Sequence, residues 1–224
     1  MLPKISILSS LLPIIFFLLF CLKNRNKGLW VIFLYSISSL LFDAFLYISP
    51  WAFENKYLVW NIFAILEYSF LSYFFYIIIK NRVPRIFIII FSAIYLLLFC
   101  LLASTSDDHF NSILSAVGSV IILTLCLIFF ILSMRITAES VSLFSPVFLV
   151  VVALIIYVAS TLFFYVIASR LSDKEMDQYW SINHIVNILM NLIFSAAFFL
   201  NRPQKKNPSP ENAAVDFARF PDDR

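Results

Sequence analysis

The chain has 224 residues, 62% of them hydrophobic and only 13% charged, with a mean hydropathy of +0.94. Soluble domains run at about 45–50% apolar and about a quarter charged, so this composition excludes a soluble domain, and with it a kinase or a nucleotide-driven pump. Seven apolar runs, near 5–22, 29–49, 57–79, 84–103, 110–134, 144–169 and 178–200, are each long enough to be a membrane span, since a hydrocarbon core of about 30 Å needs roughly 17–25 helical residues. The predicted fold is an all-α, polytopic transmembrane bundle of seven helices.

The first run follows Lys4 and resembles a signal sequence in outline. No small-residue cleavage pattern closes it, bulky Phe20 precedes Cys21, and Lys23, Arg25 and Lys27 come next. It is therefore read as a retained helix. A helix turns 100° per residue, which sorts the polar residues of the later runs onto faces. In the second run Ser36, Ser39, Asp43 and Tyr47 share a stripe. In the third, Asn61, Tyr68 and Ser72 align, with Glu67 about 100° round from Tyr68. The fourth run is almost wholly apolar. The fifth offers Ser112/Ala116 and Ser115/Ser119 for close helix contact, as Ala196/Ala197 does in the seventh, because the chain has only two glycines. Tyr157, Ser160, Thr161 and Tyr165 cluster in the sixth. In the seventh, Trp180, Asn183, His184, Asn187, Asn191 and Ser195 fall within an arc of about 120°. Residues 201–224 are polar and proline-containing, which predicts a disordered cytoplasmic tail.

Basic residues set the expected orientation. Twelve of the sixteen Lys and Arg fall in the loops at 23–28, 80–85 and 135–143 and in the tail, against four on the other side, where the loop at 104–109 carries Asp107 and Asp108. The positive-inside rule then puts the N-terminus outside and the C-terminus inside. The net charge of +3 reports this topology and gives no sign of nucleic-acid binding. With that orientation, Asn61, Asn183, His184, Asp43, Tyr47, Thr161 and Tyr165 lie in the outer half. Glu67 and Asn187 lie roughly 15 Å deep at 1.5 Å per residue. The inner halves, with IIFFLLF, IFIIIF and SPVFLVVVALII, carry almost nothing polar. The expectation is an outward-facing polar bowl over an apolar floor.

An ionisable side chain in hydrocarbon costs a few kcal/mol or more, so such residues are candidate functional sites. Glu67, with no basic residue in its own run, reads either as a protonatable or ligand-binding carboxyl or as a neutral acid bonded between helices. Asp43 reads as a second such group or as a carboxylate solvated near the surface. His184 suits a proton-linked or ligand role, or a structural hydrogen bond. The candidate ligand-binding or proton-linked set is Glu67, Asp43, Asn61, Tyr68, His184, Asn187 and Asn191, with the asparagines also able to act as interhelical ties. His109, beside two aspartates, reads as a solvated loop residue.

No metal, cofactor or catalytic residue is expected. Zinc would need Asp43, Glu67 and His184 to converge. A retinal Schiff base lacks an intramembrane lysine, two-histidine haem ligation lacks a second buried histidine, and no phosphate or dinucleotide fingerprint occurs. Cys21, Cys100 and Cys126 have no metal-like spacing and read as small apolar helix residues.

Asn61 and Glu67 in WNIFAILEYSFL, with His184, Asn187 and Asn191 in YWSINHIVNILMNLIF, resemble a pattern in small, functionally uncharacterised seven-helix bacterial membrane proteins associated with sensor-type signalling. The likeness runs along most of the chain, through short motifs. With the one-sided polar bowl, the expectation is a non-enzymatic, receptor-like or signalling-accessory protein of the bacterial inner membrane, whose partners are the bilayer, an unknown small ligand and a cytoplasmic or membrane signalling protein. A proton-coupled transporter and an intramembrane enzyme using a Glu67/His184 pair are the alternatives.

Overall fold

The computed structural model describes residues 2–22, 26–103, 112–136, 145–168 and 173–202. The loop residues Lys23, Arg25, Asp107, Asp108, His109 and Arg170, most of the 135–143 loop and the tail from 203 onward, on which orientation and disorder were read, lie outside them.

Among the described residues every regular element is helical, and seven helical stretches are long and apolar enough to cross a membrane. The chain is a multi-pass membrane protein. The first span, Leu2–Phe20, is two helices in line: α1 (Leu2–Ser9) and α2 (Leu11–Phe20). Pro13 explains the break, because its ring crowds the carbonyl of Ser9 and it offers no N–H to the preceding turn. Ser10 at the joint keeps helical dihedrals, and its N–H reaches the carbonyls of Ser6 and Ile7. Next comes α3 (Lys27–Ile48), started by Asn26, whose side chain accepts from the N–H groups of Gly28 and Leu29. A five-residue helix, α4 (Pro50–Glu54), follows, with Ser49 as cap and proline in its first turn.

The third span is α5 (Lys56–Ile78), whose last turn is closed from outside: Arg85 Nε donates to the Ile79 carbonyl at 2.7 Å while its guanidinium covers the Tyr76 ring. Then come α6 (Arg82–Ala103), α7 (Ser112–Ile136), α8 (Pro146–Ala168) and α9 (Asp173–Leu200). The helix bounds lie within a few residues of the expected spans. The largest departure is the start of α9, five residues before 178, where a polar turn precedes the apolar Ser181–Leu200 stretch.

Neighbour relations define a closed ring. The first span packs on α3, α3 on α5, α5 on α7, α7 on α8, α8 on α9, and α9 returns to α1 and α2. Helix α6 stands outside, against α5 and α7. Contacts fix the directions: Gly28 meets Ile78, Tyr35 meets Glu67 and Phe42 meets Phe63, so α3 and α5 are antiparallel. Ser6 meets Asn187, Ser10 meets Asn191 and Cys21 meets Phe198, so the first and last spans are parallel. Two spans separated by five others must run this way.

The outside of the ring carries Leu19, Leu41, Leu97, Ile113, Leu127 and Phe163, each more than half exposed. A surface of this kind suits acyl chains, where apolar burial between helices gives little and packing with polar ties holds the bundle. Inside, the half near the C-terminal end of α9 is dry. Phe17 stacks on Phe33 at 4.1 Å between ring centroids and meets Trp30 and Phe198 edge-on. Phe74, Phe75, Val151 and Leu154 are fully buried in the same half. Polar side chains gather in the other half.

Candidate functional site

A cavity of about 390 Å³ opens at the end of the bundle where α1 begins. Its wall comes from the start of α1, the last two turns of α3, the first half of α5, the second half of α8 and the early turns of α9. The antiparallel order places Asp43, Glu67 and His184, from three different spans, around this one space.

Glu67 lies at its inner end. Tyr35 donates its hydroxyl to Glu67 Oε1 at 2.7 Å, and the Tyr157 hydroxyl also hydrogen-bonds this carboxyl. Tyrosine hydroxyls are the donors a carboxyl oxygen requires away from water. Tyr35 is 1% exposed and its ring meets Phe194 edge-on across the ring of helices, so the carboxyl is held by a rigid partner. Asp43 sits two turns further along the α3 face that carries Tyr35 and Ser39, and lines the same cavity as Glu67. Among the described residues lining the cavity there is no lysine or arginine.

His184 and Asn187 face the cavity from α9, one turn apart. Asn187 Nδ2 also donates to Ser6 Oγ at 3.1 Å. Asn183, one turn before Asn187, leaves its buried Oδ1 without a hydrogen-bond partner among the described residues. A buried amide oxygen with no donor costs about 1–3 kcal/mol unless something fills the space.

The remaining candidates are elsewhere. Asn191 is 3% exposed and donates to Ser9 Oγ and Ser10 Oγ at 3.0 and 3.2 Å, tying α9 to the first span away from the cavity. Tyr68 turns away from this cavity toward α6, where its ring lies 4.0 Å from that of Tyr95 at a 30° tilt and its hydroxyl shares a hydrogen bond with Ser92. Asn61 lies on α5 outside the described lining of either polar cavity.

Tyr68 and Tyr95 line a second, much smaller cavity of about 30 Å³, with Ser115, Ser119 and Thr161. That is room for one or two water molecules. Ala64, Glu67, Tyr157 and Tyr165 belong to both walls, so Glu67 stands in the partition. Gly118 makes the arrangement possible: a Cβ there would lie 3.0 Å from the Tyr95 hydroxyl. Tyr95 thus brings the peripheral helix α6 to the wall of this inner cavity.

Three participants, Tyr35, Ser6 and Ser10, were not singled out from sequence. Tyr35 lies four and eight residues before Ser39 and Asp43, and so belonged to the polar stripe of α3. Ser6 and Ser10 have the same four-residue spacing as Asn187 and Asn191, which is the register of a parallel pair. Among the described residues no three of His, Cys, Asp and Glu come together as metal ligands. Cys21 and Cys126 are buried free thiols. In comparisons with known proteins, no family model, no curated protein and no solved structure matches this chain.

Proposed function

We propose that this protein is a non-enzymatic, receptor-like or signalling-accessory module of the bacterial inner membrane, which binds a small ligand, or responds to protons, in the cavity around Glu67. The observation that carries this reading is the one-ended cavity: ionisable groups from three spans meet in it, and aromatic and aliphatic side chains fill the bundle's other half. Its volume falls in the about 300–1,000 Å³ range of small-molecule sites. With the orientation that the basic loops favour, it opens to the outside, and a bound ligand would act on a cytoplasmic or membrane signalling partner through helix shifts.

A proton-coupled transporter is the second reading. The small polar chamber behind Glu67 favours it, since a conduit must continue past the coupling carboxyl. The two separate in reconstituted vesicles. A receptor binds ligand without accumulating it, and Glu67→Gln abolishes the response while the protein still folds. Uphill, proton-dependent accumulation inside vesicles would refute the receptor reading, and an unchanged response in Glu67→Gln would remove Glu67 from the site.

A further inference from the structure

Two carboxyls and an unsatisfied amide oxygen share the cavity wall. Asp43 and Glu67 bring two carboxyls from different spans to one wall, and no lysine or arginine stands among the described lining residues. No hydrogen bond or ion pair to Asp43 forms among the described residues, although its side chain borders open space. The Asn183 amide adds a buried oxygen with no donor, in the same wall. The Tyr35 hydroxyl is committed to Glu67, and the Asn187 amide hydrogens are partly used on Ser6.

The rest of the wall is aromatic. Phe42 and Phe63 lie 4.8 Å apart between α3 and α5, and Trp60, Tyr47, Tyr157 and Tyr165 complete the surround. Ring faces carry negative potential and attract cations most strongly where water is excluded. An anion would meet two carboxyls here, and a neutral polar molecule would bring them no positive charge. A protonated amine supplies positive charge and N–H donors together, matching all three features.

We infer that the ligand of this cavity is a small organic ammonium ion with at least one N–H, held between Asp43 and Glu67 with its carbon skeleton against the aromatic wall. The inference rests on the receptor-like reading above and adds the chemical class of the ligand.

The test uses the full chain in zwitterionic nanodiscs, titrated calorimetrically with three probes of matched size: benzylammonium, benzyl alcohol and benzoate. Saturable binding of benzylammonium alone is expected. Asp43→Asn and Glu67→Gln, which keep side-chain volume, should each weaken it by about tenfold or more, the usual scale for losing a charge-assisted contact. Ala64→Trp, which fills the cavity, should abolish it. If benzyl alcohol or benzoate binds saturably in an Ala64→Trp-sensitive manner and benzylammonium does not, the ammonium assignment is overturned and a ligand cavity remains. Equal benzylammonium binding in wild type and Asp43→Asn also overturns it. If no probe binds, the assignment is overturned, and the Glu67→Gln response in vesicles decides separately whether the receptor reading stands.

Discussion

Glu67 carries a charge-bearing group into the middle of the bundle, and its two tyrosine partners make that tolerable. Tyr35→Phe removes the hydroxyl bonded at 2.7 Å while leaving the ring in place. A buried acceptor deprived of its donor loses about 1–3 kcal/mol, so this variant should unfold at lower temperature or denaturant in detergent, whereas Tyr73→Phe, on an exposed α5 tyrosine, should not. Equal stability of the two variants would show that Tyr35 does not support the carboxyl. Glu67, Asp43 and His184 were legible in the sequence because ionisable side chains stand out in apolar runs. Tyr35 was not, because tyrosine is common in this aromatic-rich chain and helix phase does not reveal which ring meets a carboxyl on another span. Asn187 and Asn191 were legible as polar groups, yet only the register against Ser6 and Ser10 separates the one at the cavity from the one that only ties helices.

At the scale of elements, hydrogen bonds between spans stand in for the hydrophobic drive that a bilayer withholds. The Asn191 amide meets two serines of the first span at once. Asn191→Leu should cost about 0.6–1.7 kcal/mol, the measured scale for such ties, and should leave ammonium binding unchanged because Asn191 is not part of the cavity lining. A loss of binding equal to that in Glu67→Gln would return Asn191 to the site.

Gly118 permits a different kind of contact. Gly118→Val should overpack the α7 surface against Tyr95 and cost about 1–3 kcal/mol. Thermal unfolding should show a smaller loss in a Tyr95→Leu background, since neighbouring side chains are energetically coupled. Additive losses would mean that Tyr95 is not what Gly118 accommodates. Span positions were readable from hydropathy alone, because length and apolarity are properties of each segment. The peripheral place of α6, the split of the first span and the short α4 were not, since they depend on which helix faces which and on the few residues between spans. Pro13 was the visible sign of the split.

For the whole molecule, the decisive property is asymmetry between the two ends of the bundle. One half holds the cavity and its carboxyls; the other is closed by the Phe17–Trp30–Phe33–Phe198 cluster and the aliphatic face of α8. The charge distribution in the loops supports an outward cavity, and the same asymmetry explains why binding and signalling are proposed ahead of passage through the membrane. Thiol accessibility tests this most directly. In a background with Cys21, Cys100 and Cys126 replaced by serine, single variants Asp43→Cys, Asn187→Cys and Leu154→Cys are treated in intact cells with a membrane-impermeant thiol reagent. Rapid labelling of Asp43→Cys and Asn187→Cys is expected, with protection of Asn187→Cys by a bound ammonium ion, and none at Leu154→Cys. Labelling of Leu154→Cys at a comparable rate, or of the first two only after the cells are opened, would contradict it.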